Sequence, residues 1–411
     1  MTVVGGVVVV AVGVQLLDLP GGGRSWTVLG EDRLPIEPVE EFLEHHRLIG
    51  SSPNTVRSYA HALAGYFGYL AAVRVDWADP GVAGLTGFVG WLRSGGPPGV
   101  RTIGVAASGG AAPATVSARV AAVVAFYRYL ESAGHRVRVP HASTAGPRRS
   151  RFVGMLAHTQ RSPRPAGVVR VARSRSGPPP ILTPAQVAAV LDCCARRDPG
   201  SGDWTGSLRD RLLFALLAES GLRLGEALGL RHADWHTGGG TTGFVQIVPA
   251  EHPHGVRVKN SQYRRVYVSA ELGRLYGDYL WQVADTAATR GLTVDDGWYV
   301  FCNLTREPLF APTRPETVYA LVRRCRRELA GALPEEWTPH WFRHTHATAL
   351  LLSGVPLHVV TRRLGHAHVQ TTMDLYGWVS DEAAMRPVAE WRRFAAGWPV
   401  GAEDADGQVG S

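Results

Sequence analysis

Residues 137–180 cannot form the inside of a folded domain. They contain no acidic residue, carry Arg148, Arg149, Arg151, Arg161, Arg164, Arg170, Arg173 and Arg175, and end on Gly177-Pro178-Pro179-Pro180. Burying so many guanidinium groups without partners would cost far more than the few apolar side chains there could return, and the prolines remove donors that any regular element needs. The stretch reads as an arginine-rich linker draped over something anionic. The rest of the 411-residue chain must then fold as separate globular pieces on either side.

The imbalance of charge is wider than the linker. Residues 80–191 hold fourteen arginines and one acid, Glu131, in a chain whose net charge is only +8, so the remainder is net acidic. A solvated arginine face would look similar. An almost acid-free run of this length is, however, the electrostatic footprint of phosphate-backbone binding. A membrane surface is disfavoured, because no segment joins this charge to an apolar helical face.

Before the linker, residues 36–136 read as a small helical domain. Ser52-Pro53-Asn54-Thr55 is a helix start, after which Val56, Tyr59, Leu63, Tyr66 and Phe67 recur at helical spacing. A second helix is expected from Thr115, with Val116, Val120, Val123, Val124, Tyr127 and Leu130 as its stripe and Gly134 as its stop, and residues 94–113 form a loop between the two. Residues 1–35 are an N-terminal extension. Its apolar stretch is interrupted by Gly5, Gly6 and Gly13, falls short of the ~20 residues a spanning helix needs, and has no basic residue before Arg24, so it reads as a short Val-rich strand or an imprecise start.

After the linker, residues 181–395 form a second globular region that opens on Leu182-Thr183-Pro184. Helices are expected at 207–219 and 224–230, separated by Gly221, and strands at 244–248 and 265–268, with helices resuming near Leu272. The pattern is mainly α with a small β-sheet. Residues 396–411, with Glu403, Asp404 and Asp406 among glycines, read as a disordered acidic tail. Cys193, Cys194, Cys302 and Cys325 show no zinc-finger spacing and suggest neither a disulfide framework nor a metal knuckle, which fits a reducing cytoplasm.

Of 43 basic residues a single one is lysine, Lys259, in Val258-Lys259-Asn260-Ser261-Gln262-Tyr263-Arg264-Arg265-Val266, a pattern that predicts the tip of a β-hairpin. A bias that replaced every other lysine would have replaced this one too unless a titratable ammonium were needed. Arginine keeps its proton up to a pKa above ~12, whereas lysine can act as a general acid. Alone, Lys259 could equally be an accident of composition. Farther on, Thr338-Pro339 predicts a helix start with His340 and Arg343 on one face, Phe342, His346, Ala349 and Leu350 as its buried stripe and Gly354 as its stop. Pro356 opens a short helix closed by Leu364-Gly365, leaving His366 just past a helix C-terminus, and Thr371-Thr372 is expected to cap a last helix carrying Tyr376.

Thr338-Pro339-His340-Trp341-Phe342-Arg343-His344-Thr345, then Leu364-Gly365-His366, then Thr371-Thr372 and Tyr376, together resemble the second signature box of the tyrosine recombinases, the family of phage lambda integrase and the Xer recombinases. Ser220-Gly221-Leu222-Arg223-Leu224-Gly225-Glu226-Ala227-Leu228 resembles the first box, and the Lys259 hairpin resembles the family's lysine-bearing β-turn, although Val268 stands where a proline is usual. The amino-terminal helical region is similar to the core-binding, SAM-like domain. The likeness runs from about residue 36 to 395 and implies a helical core-binding domain followed by an α+β catalytic domain. It implies a site-specific DNA recombinase, an integrase or transposase, that cuts and rejoins DNA through a 3′-phosphotyrosyl intermediate with no cofactor and no metal. The implied partners are double-stranded DNA, a homotetramer assembled on it and accessory recombination proteins, in the cytoplasm and away from any membrane. Because the extension and long linker exceed a minimal Xer-type enzyme, a mobile-element recombinase is preferred.

The resemblance assigns roles that the chemistry explains. Arg223 and Arg343 would clamp the non-bridging oxygens of the attacked phosphodiester with charge-assisted bonds. Tyr376 would be the nucleophile, with a free pKa of ~10 that requires proton loss during attack, and His340 the base. Lys259 would protonate the departing 5′ oxygen, and His366 would donate a hydrogen bond to the phosphate. The charge of the linker, rather than the resemblance, suggests that Arg148, Arg149 and Arg151 touch the DNA backbone. Glu226 reads as a buried partner that orients an arginine. Taken singly, Arg223 would be a surface arginine and Tyr376 a packing residue; their joint arrangement reverses both readings. A zinc site built from His344, His346, His358 and His368 with Cys302 or Cys325 is disfavoured for want of paired ligand spacing, and His344 reads as packing near the site. Two alternatives stand beside the recombinase: a non-catalytic DNA-binding accessory protein of the same fold, and a type IB topoisomerase-like relaxing enzyme.

Overall fold

A computed structural model describes residues 2–4, 7–10, 12–19, 24–95, 100–102, 110–137, 179–237, 242–249, 263–366 and 369–376. The chain divides into two compact units, Met1–Arg175 and Ser176–Ser411. Lys259, the arginines from Arg148 to Arg175 and the acidic tail lie outside the described residues.

The first unit starts with strands β1 (Thr2–Val4), β2 (Val7–Val10), β3 (Gly13–Asp18) and β4 (Arg24–Leu29), continues through helices α1 (Glu37–Leu48), α2 (Pro53–Val73) and α3 (Gly81–Ser94), and closes with β5 (Val100–Thr102) and α4 (Pro113–Ser132). β3 and β4 form an antiparallel hairpin, and β5 runs parallel to β2 inside a stretch expected to be loop. Ser52 caps α2 by accepting from the Thr55 N–H at 3.2 Å, with Pro53 in the first turn, where its missing donor costs nothing. The expected stripe of α2 is buried at Val56, Leu63, Tyr66 and Phe67, and α4 buries Val116, Val120, Val123, Tyr127 and Leu130 against it. α4 starts two residues before Thr115, on Pro113. Phe42, Phe126 and Phe88 pack edge-to-face with one another or with Tyr66, and Val28 of β4 joins this same core. Tyr66 and Tyr127 form a polar pair inside this core, with hydroxyls 2.9 Å apart. Tyr127 donates onward to the Trp77 carbonyl, so Tyr66 must donate to Tyr127.

The second unit contains α5 (Pro184–Cys194), the hairpin β6 (Ala195–Arg197) and β7 (Trp204–Gly206), α6 (Leu208–Ser220), α7 (Leu224–Leu228), β8 (Trp235–His236), β9 (Phe244–Ile247), β10 (Arg264–Tyr267), α8 (Ala270–Ala288), α9 (Pro315–Glu328), α10 (Pro339–Leu352), α11 (Leu357–Leu364) and α12 (Val369–Tyr376). α6 is the central element: Leu212, Leu213, Phe214, Leu216 and Leu217 are all buried, and it packs against α5, α8 and α10. Burying each such side chain stabilises by about 1.5–3 kcal/mol. β9 and β10 pair antiparallel, with Val245, Ile247 and Val266 turned inward and Gln246, Arg265 and Tyr267 outward, the alternation expected of a half-buried sheet. Among the described residues no helix is long and apolar enough to cross a membrane.

Three local expectations are corrected. α10 buries Phe342, Arg343, His344, Ala347 and Thr348, while Ala349 is exposed, so its inner face is rotated away from the expected stripe. Thr338 makes no side-chain cap for that helix. α12 begins at Val369, before Thr371-Thr372, and Thr372 is used elsewhere.

Candidate active site

The site is assembled from the ends of helices. α6 stops at Gly221, whose φ of 65° is left-handed, and a Cβ there would lie 2.7 Å from His346 Cδ2 and 2.9 Å from a Leu364 methyl. The sharp reversal delivers Arg223 to the start of α7. Its backbone N–H donates to Glu226 Oε2 at 2.9 Å and its Nη1 to Oε1 at 2.8 Å. Arg343, in the first turn of α10, is 2% exposed, with Nη1 donating to the Gly221 carbonyl and Nη2 to the Leu364 carbonyl, each at 2.7 Å. These are orphan carbonyls at the C-terminal ends of α6 and α11, where a cation also meets the negative ends of two helix dipoles. Arg223 Nη2 reaches the next carbonyl, Gly365, at 3.3 Å. Gly365 itself has φ 66°, and a Cβ there would sit 2.7 Å from Arg264 Nη1.

Glu226 orients two arginines, as the sequence suggested for one. Arg264 donates to both its oxygens, at 3.2 and 2.7 Å, and its Nε donates to the Arg363 carbonyl at 3.1 Å. Burial pushes the Glu226 carboxyl up, but the Arg264 bond and the charges of Arg264 and Arg223 outweigh it, and the group stays below its ordinary value. Arg363 holds the other side of the knot. Its Nε donates to His346 Nε2 at 2.9 Å, and its Nη2 to the Glu219 and Tyr267 carbonyls at 3.1 and 3.0 Å. His346 Nδ1 is 3.2 Å from the Ala218 carbonyl, so the ring is neutral with both nitrogens engaged; burial and then Arg363 push it down to about 4. That leaves it no lone pair for a metal. Sequence reasoning missed Arg264 and Arg363. The one available signal was the place of Arg363 in the last turn of α11, where a cation suits the helix end.

Of the expected site residues, Arg223, His340, Arg343 and His366 come together. Burial, followed by Arg343, Arg223, His340 and Arg264, pushes His366 down to about 4. Loss of hydration, then Arg343 and Arg223, lowers His340 from its ordinary value although its helix face meets solvent. The buried His344 ring packs edge-on against His340 at 4.5 Å and is pushed to about 4 by burial, His340 and Arg343. Both candidate histidines are thus neutral at pH 7 beside two cations, able to take or share a proton next to groups with the charge and donors to hold an anion. His366 Nδ1 lies 2.8 Å from Thr372 Oγ1 on α12. Tyr376 is the last residue of that helix, one turn beyond Thr372; its side chain, like Lys259, Arg148, Arg149 and Arg151, lies outside the described residues.

Comparison with known proteins places this arrangement. Residues 180–382 match the model of the phage integrase family, and residues 39–134 match that of the phage integrase N-terminal SAM-like domain. The chain is 30% identical over 360 residues to transposase A of transposon Tn554 from Staphylococcus aureus, covering 87% of this chain and 91% of that protein. It is also 30% identical over 343 residues to tyrosine recombinase XerC of Rhodospirillum centenum, covering 82% and 80% respectively. In fold it is similar to the XerH site-specific recombinase bound to its difH substrate, with a TM-score of 0.51 at 18% identity over 84% of this chain and 82% of that one. A Tn1549 transposon integrase structure gives 0.53 at 15% identity over 85% and 99%. A helical amino-terminal unit, a mainly α catalytic unit with a small sheet, and similarity over nearly the full length of a transposase lead to one conclusion: the chain belongs to the phage integrase family of tyrosine recombinases and is a site-specific DNA recombinase.

Proposed function

We propose that this recombinase moves a mobile element by cutting and rejoining double-stranded DNA through Tyr376. The observation that carries the reading is the pair of guanidinium groups, Arg223 and Arg343, anchored on the carbonyls of Gly221, Leu364 and Gly365 beside two neutral histidines. Anchored donors need no reorganisation when negative charge builds on the non-bridging oxygens of a phosphodiester. In the step itself, Tyr376 Oη bonds to phosphorus as the P–O5′ bond breaks. The phenolic proton passes to His340, and Lys259 supplies a proton to the 5′ oxygen. His366 donates to a phosphate oxygen. Arg148, Arg149 and Arg151 contribute phosphate contacts from the linker, and four protomers act on the paired sites, with accessory proteins selecting direction. Similarity to transposase A over nearly its whole length favours transposition over housekeeping resolution.

The test is a nicked suicide substrate drawn from the flanks of the encoding element. Wild-type protein should be trapped as a covalent adduct on denaturing gels. Tyr376→Phe should bind the same DNA and give none, and an adduct formed by the Phe variant would remove Tyr376 from the role. Relaxation of a supercoiled plasmid lacking the target would favour the topoisomerase reading instead.

A further inference from the structure

His366 is held from behind by two hydroxyls. Its Nδ1 lies 2.8 Å from Thr372 Oγ1, and Thr372 Oγ1 lies 3.0 Å from Thr361 Oγ1 of α11. Thr372 is wholly buried and Thr361 nearly so, which makes loss of either contact costly. A neutral imidazole has one N–H and one lone pair, and each hydroxyl has one proton to give. The direction of donation along this short chain therefore decides which ring nitrogen is protonated. If Thr361 donates to Thr372, the Thr372 proton is available to Nδ1 and the ring keeps its own on Nε2. Run the other way, the chain puts the ring proton on Nδ1 and leaves the site facing a lone pair.

Thr361 is the branch point, with Leu357 O at 2.7 Å and Thr372 Oγ1 at 3.0 Å as acceptors for its one proton. The Leu357 carbonyl is the i−4 partner of the Thr361 backbone N–H and is served by the helix itself, whereas the buried Thr372 oxygen has, among the described residues, Thr361 and His366 as its partners. The surroundings of the ring point the same way. Arg343 and His340 face it from α10, Arg223 from the start of α7 and Arg264 from β10, while both oxygens of Glu226, the carboxylate among them, are committed to Arg223 and Arg264. So many positive neighbours disfavour an imidazolium. A ring that must stay neutral can serve an anionic phosphate oxygen only with its proton on Nε2.

We propose that Thr372, backed by Thr361, is a positioning residue that donates to His366 Nδ1 and holds the neutral tautomer whose Nε2–H is left for the scissile phosphate. The tautomer stands by itself; its catalytic consequence rests on the phosphodiester reading above. Two-bond 1H–15N spectra of the full-length protein, with the His366 signals assigned by their loss in His366→Gln, should show the Nε2–H tautomer at neutral pH. Thr372→Val keeps the shape and removes the hydroxyl. It should populate the Nδ1–H form and slow adduct formation on the suicide substrate by about tenfold or more without weakening DNA binding, and Thr372→Ser should restore both. A wild-type spectrum showing Nδ1–H or imidazolium at neutral pH would overturn the proposal, and so would a Val variant with unchanged tautomer and rate. If Val at 372 prevents folding, the wild-type spectrum alone decides. Failure of wild-type protein to form any adduct would count against the recombinase chemistry and leave the spectral result standing.

Discussion

The amino-terminal core and the cluster around His366 are held by opposite means. The first is a contact among rings and aliphatic chains, Phe42, Leu63, Tyr66, Phe88 and Phe126, with the Tyr66–Tyr127 hydroxyl pair inside it. The second is a knot of guanidinium groups, Arg223, Arg264, Arg343 and Arg363, tied to backbone carbonyls, a histidine and the Glu226 carboxylate. Damage to the first should scale with the volume left empty. Damage to the second should scale with the charge left without a partner. A site that must hold a phosphodiester can then keep its cations in place before the substrate arrives, with part of their donor capacity turned to the protein.

The largest effect is expected from Glu226→Ala. It strands Arg264, whose side chain is 7% exposed, together with Arg223, and should cost about 3–5 kcal/mol in denaturant unfolding as well as abolish adduct formation. A loss below about 1 kcal/mol would mean that carbonyls alone hold the arginines, and the contrast would collapse.

Acid should separate the two regions next. His344, His346 and His366 are pushed from 6.5 to about 4 in the folded protein, so each adds stability that is complete above 6.5 and is lost as pH falls toward about 4. Glu226, held below its ordinary 4.5, adds stability that persists above that value and disappears as pH drops through its lowered folded value. Hydrogen exchange between these limits should show the His366 cluster opening before the α2–α4 core; simultaneous opening would contradict this.

Within the amino-terminal core, Leu63→Ala should cost about 2–5 kcal/mol, read as a lowered denaturant midpoint with an unchanged slope. Gly365→Ala should cost about 1–3 kcal/mol, because it combines a left-handed φ with a Cβ pressed against the Arg264 guanidinium. Its cleavage defect should exceed its stability defect, since Arg223 rests on the Gly365 carbonyl. Smallest is Tyr66→Phe, which removes one donor while Tyr127 keeps its bond to Trp77, at about 0.5–1.5 kcal/mol by thermal unfolding.

Regular elements were readable wherever their physics is local. α2 announced itself through Ser52-Pro53 and a 3.6-residue stripe, and β9 and β10 through alternation, because capping and side-chain direction depend on a few neighbours in sequence. α10 was misread in rotation: Ala349 was expected inside and is exposed, whereas Arg343 is drawn in by the carbonyls of Gly221 and Leu364, which lie on other elements. Arg264 and Arg363 escaped notice for the same reason: Glu226 is 38 positions from Arg264, and the Glu219 carbonyl is 144 positions from Arg363. Thr372 was assigned to a cap because Thr-Thr before a helical stripe is a good local signal, whereas its actual partners, His366 and Thr361, lie on other elements.

By itself, the sequence determined the helical character of the regions on either side of an arginine-rich stretch and the order of the residue types able to handle a phosphodiester. Composition and periodicity act along the chain and can be read without knowing what lies across it. Tertiary structure alone decided which of 42 arginines became internal struts, which carboxylate they share, and that His366 and His346 are uncharged at neutral pH. Those outcomes depend on helix ends meeting in space and on the removal of water from charged groups, and neither is written in any local stretch of residues.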